Sequence, residues 1–191
     1  MKYFKGAIIM LILFLAACGT AEIESNMPED SIVTDFEFTT QDEDTLSFED
    51  LKGEWWIADF IFTNCTTVCI PMTTNMVTLQ EMMAEEDLDA QIVSFSVDPK
   101  VDTPEILRNY AAGYGADLSS WTFLTGYDFE TIRELSRGSF YADLAEDPDS
   151  DQVTHGVRFY LVNPEGQVVK SYLGTDLDDV HSIIEDLKGV L

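Results

Sequence analysis

The sequence predicts an α/β fold with a mixed central sheet flanked by helices and an N-terminal β-hairpin. Strand-like and helix-like segments alternate through most of the chain after residue 55. Near the C-terminus, two strand-like segments surround the turn Asn163-Pro164-Glu165-Gly166 and are followed by one more helix. Alternation of strands and helices gives parallel strands, whereas a tight hairpin pairs its strands antiparallel, so the sheet is expected to contain both.

The predicted elements follow one another in a definite order. The N-terminal hairpin, 35–39 and 45–47, surrounds a polar turn of Gln and acidic residues. An apolar, aromatic strand over 55–62 is expected to be buried on both faces. The later segments are a helix over 70–86, a strand over 91–97, a helix that Thr103 caps and Pro104 opens, a strand over 121–124, a helix from Asp128, a hairpin of 157–162 and 168–172, and a helix over 176–187. This is the order of a thioredoxin-like fold.

The N-terminus has the features of a secretory signal. Lys2 and Lys5 precede an apolar run over 7–17 that ends in Leu-Ala-Ala, directly before Cys18 and Gly19. The run is shorter than the ~20 apolar residues that a membrane-spanning helix needs. Its end resembles a bacterial lipobox, in which the chain is cut before the cysteine and the cysteine is acylated. The alternative is an ordinary signal peptide that happens to contain a cysteine.

The lipobox predicts three segments and a location. They are a lipoprotein signal peptide over 1–17, the lipidated Cys18 with a flexible tether over 18–31, and a single thioredoxin-like domain over 32–191. Acyl chains contribute ~0.8 kcal/mol per buried CH₂, so two or three of them hold a domain firmly at a membrane. We therefore expect an extracytoplasmic protein anchored to the outer face of the bacterial cytoplasmic membrane.

The charge of the chain is strongly acidic. Without Lys2 and Lys5 it carries 8 basic and 36 acidic side chains. This balance excludes nucleic acid as a partner, because phosphate binding needs clustered lysine and arginine. An acidic surface can concentrate cations or steer a basic partner, or it can serve solubility alone, which the even spread of acids favours.

Cys65 and Cys69 lie where the first long strand meets the following helix. The free N–H groups and the positive dipole end of a helix N-terminus favour thiolate over thiol. Two thiolates at this spacing can bind a soft metal ion such as Cu(I) or Zn(II), or they can close a disulfide. Because two sulfurs do not complete a stable Cu(II) or Zn(II) site, a third ligand is expected.

His155 is the candidate for that ligand. It lies in the loop that enters the late hairpin, and in a thioredoxin-like fold this loop approaches the N-terminus of the first helix. Two sulfurs and one imidazole nitrogen suit copper. The alternative for His155 is an ordinary exposed loop histidine, and His181 is expected at the surface of the last helix.

Four motifs together resemble the Sco/SenC family of thioredoxin-like copper chaperones, which help to build the copper-A centre of cytochrome c oxidase. They are Thr63-Asn64-Cys65-Thr66-Thr67-Val68-Cys69, Ser96-Val97-Asp98-Pro99, Asp102-Thr103-Pro104-Glu105 and Thr154-His155-Gly156. The resemblance implies a copper site, for Cu(I) or Cu(II), made by Cys65, Cys69 and His155. It also implies that Asp98 supports this site or contacts a partner, which would be the oxidase subunit with the copper-A site. The family usually has proline directly after the second cysteine, whereas here Ile70 intervenes before Pro71.

Three functions stay open at this point. The first is copper delivery to the oxidase subunit, and the second is thiol–disulfide exchange that reduces the cysteines of that subunit. The third is a peroxiredoxin-like peroxidase or redox sensor, which would need an arginine such as Arg133 or Arg158 close to Cys65. Met72 and Met76 have helical spacing and are expected in the core, although their thioethers could also bind Cu(I).

Overall fold

The computed structural model describes residues 23–65 and 67–191 of the chain. The predicted signal peptide over 1–17 and the predicted lipidation site at Cys18 lie outside these residues. Within the described part, no helix has both the length and the apolar character needed to cross a membrane.

The described residues form nine strands and five helices. The strands are β1 (Glu37–Thr40), β2 (Thr45–Ser47), β3 (Trp56–Ile61), β4 (Gln91–Ser96), β5 (Trp121–Thr125), β6 (Ala145–Glu146), β7 (Val153–Thr154), β8 (Arg158–Val162) and β9 (Val168–Leu173). The helices are α1 (Phe48–Leu51), α2 (Cys69–Glu85), α3 (Pro104–Tyr114), α4 (Phe129–Phe140) and α5 (Leu177–Val190). Each element predicted from the sequence is present, with its ends within a few residues of the expected positions.

Seven of the strands form one mixed sheet in the order β2-β1-β5-β4-β3-β8-β9. The central strands β3, β4 and β5 are parallel, whereas β1 and β8 run antiparallel to their neighbours β5 and β3. The carboxyl ends of β3 and β4 therefore lie at the same edge of the sheet. The predicted mixed α/β fold with an N-terminal hairpin is confirmed.

The position of β3 in the core explains why its sequence is almost entirely apolar. Every residue of β3 is buried, and its side chains alternate between the two faces of the sheet. Trp56 and Phe60 pack in the same cluster as residues of α4. Ile57 and Ile61 pack on the other face with residues of α2, α3 and α5. The sheet is thus covered by helices on both faces.

Two helices that position the site begin as the sequence predicts. The Thr103 hydroxyl accepts a hydrogen bond from the Ile106 amide at 3.3 Å, and Pro104 is the first residue of α3. The Asp128 carboxylate accepts one from the Thr131 amide at 2.8 Å at the start of α4. These caps satisfy amides that a helix leaves without intrahelical partners.

Two features differ from the sequence-based expectation. Residues before the expected boundary at 32 are bound to β9: the side chain of Asn26 exchanges two hydrogen bonds of 2.8 Å with the main chain of Ser171, and the Ser31 carbonyl accepts from the Val168 amide at 2.8 Å. The expected flexible tether therefore does not extend to residue 31. The second difference is an unpredicted two-stranded ribbon, in which β6 pairs with β7 directly before His155.

Candidate metal centre

Three predicted ligands converge at the carboxyl edge of the sheet. Cys65 follows the end of β3, Cys69 is the first residue of α2, and His155 follows β7. The Cys69 Sγ lies 3.3 Å from the His155 Nε2, and the three ligand atoms all lie within 4.8 Å of one another. Two sulfurs and an imidazole nitrogen at these separations form a donor set that fits a soft metal ion, copper in particular.

The β6–β7 ribbon and its connecting loop carry His155 to the cysteines. In this loop, the Asp151 carboxylate accepts a hydrogen bond from the Asn64 side-chain amide at 2.7 Å. The Gln152 side-chain amide donates to the Asn64 carbonyl at 3.3 Å. Asn64 directly precedes Cys65 in the loop between β3 and α2, which we call the cysteine loop. These two contacts therefore join the loop between β6 and β7 to the cysteine loop.

Asp102 holds the start of the cysteine loop in place by hydrogen bonds. It is fully buried, and its carboxylate accepts hydrogen bonds from the Thr63 amide at 3.2 Å and the Thr63 hydroxyl at 2.5 Å. It also accepts one from the Ser96 hydroxyl at 2.6 Å. Asp102 therefore joins the ends of β3 and β4 at the point where the loop leaves the sheet. In the sequence, Asp102 stands out only as part of the Asp102-Thr103-Pro104-Glu105 motif.

The two cysteines differ in their readiness to ionise. Burial opposes ionisation of Cys65, but hydrogen bonds from the Cys69 thiol and from the amides of Thr67 and Cys69 together lower the pKa of Cys65. The Cys69 amide lies 3.4 Å from the Cys65 Sγ. Burial, and the hydrogen bond that its own thiol gives to Cys65, raise the pKa of Cys69. Cys65 therefore ionises more readily than Cys69.

His155 is held as a neutral ligand. Its Nδ1 lies 2.9 Å from the Gly156 carbonyl, which can only accept, so Nδ1 carries the proton and Nε2 presents a lone pair towards Cys69. Burial lowers the pKa of His155. The edge of the ring meets the Phe62 ring, with 5.6 Å between centroids and 85° between planes. This packing fixes the orientation of the imidazole.

A cavity of about 300 Å³ opens beside these residues, and its lining includes Phe62, Cys65, Thr67, Val68 and His155. Among the described residues, no arginine lines it. Arg133 instead pairs with Glu130, and Arg158 donates to the Ser171 hydroxyl at 3.1 Å. The arginine that a peroxidase would need is therefore not supplied by either candidate.

Other candidate residues have different positions. Asp98 is half-buried at the end of β4, and burial raises its pKa. Its hydrogen bonds within the described residues run to Ser96, Val101 and Asp102 rather than to the ligands. Met72 and Met76 are fully buried in the core, as expected. His181 is exposed on α5, also as expected.

The model of the SCO1/SenC family matches residues 24–191. The SCO1 protein homolog of Bacillus subtilis (strain 168) is 46% identical over 98% of this chain and 97% of its own length. The structure of BsSco has a TM-score of 0.79 and 43% identity, covering 88% of this chain and 98% of that one. BsSco is described as a member of the Sco family of cytochrome c oxidase assembly proteins, with a disulfide switch.

A more distant structure shares the fold. Arabidopsis thaliana ScoI, crystallised with copper bound, has a TM-score of 0.70 and 24% identity over 82% of this chain and 98% of that one. The family match covers the described sheet, its helices and the three converging side chains. The chain belongs to the SCO1/SenC family.

Proposed function

We propose that this chain is a copper metallochaperone that binds copper through Cys65, Cys69 and His155 and delivers it to the copper-A site of a cytochrome c oxidase subunit. The observation that carries the proposal is the convergence of the three ligand atoms within 4.8 Å. Membership of a family that includes an oxidase assembly protein supports the destination of the copper. The fold shared with a copper-bound ScoI is consistent with the cargo.

The chemistry of the donors supports copper over a hard cation. Thiolate sulfur is a soft ligand that selects Cu(I), and a thiolate–imidazole set also binds Cu(II). Cys65 is the thiol that ionises more readily, and His155 supplies a free Nε2 lone pair. Metal binding releases the thiol protons, and the proton of Cys69 is the harder one to remove.

We also propose that the protein acts at the outer face of the cytoplasmic membrane. The lipobox before Cys18 supports a lipid anchor on the outer face of the cytoplasmic membrane. Asp98 is proposed to contact the partner or to support the site, since it lies half-buried at the same sheet edge, at the end of β4. The acidic surface does not attract anionic headgroups, so the acyl chains supply the attachment.

A copper titration tests the binding step. The chain without residues 1–17, carrying Cys18→Ser, has Cys65 and Cys69 as its two cysteines. After reduction it should bind one copper and, with Cu(II), show a thiolate-to-copper charge-transfer band and an EPR spectrum with nitrogen coupling. Weak binding without that band would contradict the proposal. Loss of oxidase copper-A content in cells lacking the protein, restored by the wild-type chain and not by Cys65→Ser, tests delivery.

The difference in pKa between the two thiols favours a second candidate function, thiol–disulfide exchange. A readily ionised thiol at Cys65 beside a less acidic thiol at Cys69 suits an attacking and a resolving cysteine in thiol–disulfide exchange. Such a reductase would act on the cysteines of the oxidase subunit and would not require His155. The two roles are compatible, because thiols must be reduced before they bind copper.

A further inference from the structure

The β6–β7 ribbon, which leads to His155, has little main-chain support of its own. Its two strands form a separate sheet and do not pair with the seven-stranded sheet. They join through two residue pairs, Ala145 with Thr154 and Glu146 with Val153, and only Val153 is half-buried. A two-stranded hairpin is marginally stable by itself in water. The position of His155 therefore depends on contacts between the ribbon and the rest of the chain.

The core holds both ends of this segment. Leu144, directly before β6, is buried. Beyond His155, the Val157 carbonyl accepts a hydrogen bond from the Gly174 amide at 2.8 Å. Between these ends, the segment 145–156 has hydrogen bonds to three other residues within the described part of the chain: Asn64, Cys69 and Lys100. The contact with Cys69 joins two proposed ligands, so the other two residues must supply the outside support.

Of these two residues, Asn64 is the one that lies in the cysteine loop. Its side-chain amide donates to the Asp151 carboxylate at 2.7 Å, and its carbonyl accepts from the Gln152 side chain at 3.3 Å. An amide that donates to an ionised carboxylate makes a stronger hydrogen bond than a neutral pair does. Lys100 instead pairs with Glu146, and their side chains are 72% and 53% exposed, so this ion pair contributes little.

We propose that Asn64 is a positioning residue, which keeps His155 within reach of the two cysteines by holding the loop between β6 and β7 against the cysteine loop. Asn64 directly precedes Cys65, and Asp151 lies four residues before His155, so their hydrogen bond spans the site. Without it, His155 spends less time in the binding-competent position. The apparent affinity for a metal ion that needs the imidazole falls by that fraction.

This positioning role rests on the copper site proposed above and predicts a difference between the two oxidation states of copper. Soft thiolates select Cu(I), whereas two sulfurs do not complete a stable Cu(II) site without the imidazole nitrogen. A loosened His155 beside intact cysteines should therefore weaken the binding of Cu(II) and spare that of Cu(I). Damage to the cysteine loop itself would weaken both.

Asn64→Ala in the reduced chain with Cys18→Ser is the first test. The substitution removes the donor to Asp151 and keeps the main-chain carbonyl that accepts from Gln152. In competition titrations with chelators of known affinity, Cu(II) binding should weaken at least about threefold, as expected for the loss of one hydrogen bond. Cu(I) binding should stay within about twofold of wild type. A smaller effect on Cu(II), or an equal loss for Cu(I), would overturn the proposal.

An exchange of the two side chains tests the hydrogen bond itself. Asn64→Asp places two carboxylates against each other and should also weaken Cu(II) binding, although an added negative charge alone would attract the cation more strongly. Adding Asp151→Asn reverses donor and acceptor, and should return the Cu(II) affinity to within about twofold of wild type. Unchanged or tighter Cu(II) binding in Asn64→Asp, or no recovery in the double variant, would contradict the role of Asn64.

Asp149→Asn, combined with Asn64→Asp, is the matched control for charge. It removes one negative charge from the same exposed loop, and the Asp149 side chain makes no hydrogen bond to Asn64 in the described structure. This combination should bind Cu(II) as weakly as Asn64→Asp alone. Recovery equal to that produced by Asp151→Asn would show that charge, and not the hydrogen bond, controls the affinity, and would overturn the proposal.

A measurement without copper separates this role from the copper site. Backbone ¹⁵N relaxation of the reduced, metal-free chain reports fast motion through order parameters and slower exchange through dispersion. Residues 149–155 should be more mobile in Asn64→Ala than in wild type, while α5 is unchanged. Equal mobility of this loop in the two chains would overturn the proposal. A wild-type chain that shows the difference in mobility but binds no copper would refute the copper site and leave Asn64 as the residue that places His155.

Discussion

The Nε2 of His155 lies 3.3 Å from the Sγ of Cys69, although 86 residues separate them in the chain. Two local structures produce this contact. The end of β3 and the first turn of α2 place the thiol, and the β6–β7 ribbon places the imidazole. Neither ligand is positioned by its sequence neighbours alone, so the site depends on the assembled fold.

The unequal thiols predict unequal alkylation. A limiting amount of iodoacetamide added to the reduced chain near neutral pH should modify Cys65 in preference to Cys69 by at least about tenfold, because Cys65 ionises more readily and is the more exposed of the two. Tandem mass spectrometry locates the label within the peptide that holds both. Equal labelling would contradict the lower pKa of Cys65 relative to Cys69.

Asp102 is predicted to be essential for the stability of the cysteine loop. Asp102→Ala leaves the amide and hydroxyl of Thr63 and the hydroxyl of Ser96 without their acceptor, and should lower the free energy of unfolding by about 2–4 kcal/mol. Asp98→Ala is the matched control and should change it by less than about 1 kcal/mol, since Asp98 is half-buried. Urea denaturation measures both, and equal losses would argue against the special role of Asp102.

The buried acid on β3 predicts a pH-dependent stability. Burial raises the pKa of Asp59 from 3.8 to about 7 in the folded chain, so the folded state holds this proton more tightly than the unfolded state. The stabilisation that results is complete below about pH 4 and is lost as the pH rises through 7. Asn carries no such proton, so the unfolding free energy of Asp59→Asn relative to wild type should increase by about 4 kcal/mol between these limits.

Denaturant titrations at several pH values measure this difference. Asp44→Asn, at an exposed turn position, is the control and should follow the wild-type curve. If the difference in unfolding free energy between Asp59→Asn and wild type stays constant with pH, the raised pKa of Asp59 in the folded chain is contradicted.

The sequence was sufficient for the elements that have strong periodic patterns or clear boundaries. The Thr103–Pro104 start of α3 and the turn at 163–166 are in the structure as predicted, because capping and turn chemistry act locally. The position of the cysteines at a strand–helix junction was predicted for the same reason. The β6–β7 ribbon was missed, because strands of two residues with little burial leave no periodic pattern.

The residues around the ligands were harder to predict than the ligands. The role of Asp102 depends on donors from Thr63 and Ser96, which reach it only once β3 and β4 pair. In contrast, Asp59 left a visible signal, as the one charged residue inside a strand predicted to be buried on both faces. A charge in such a strand indicates a functional or strained position.

The most direct test of the copper site compares two histidines. His155→Ala removes the proposed ligand, whereas His181→Ala removes an exposed histidine of α5 and serves as the matched control. Competition titrations with a chelator of known affinity should show that His155→Ala weakens Cu(II) binding by at least about a hundredfold, while His181→Ala binds as wild type does. The reduction potential of the Cys65–Cys69 pair should stay nearly unchanged in both variants. Wild-type Cu(II) affinity in His155→Ala would contradict the proposed ligand set.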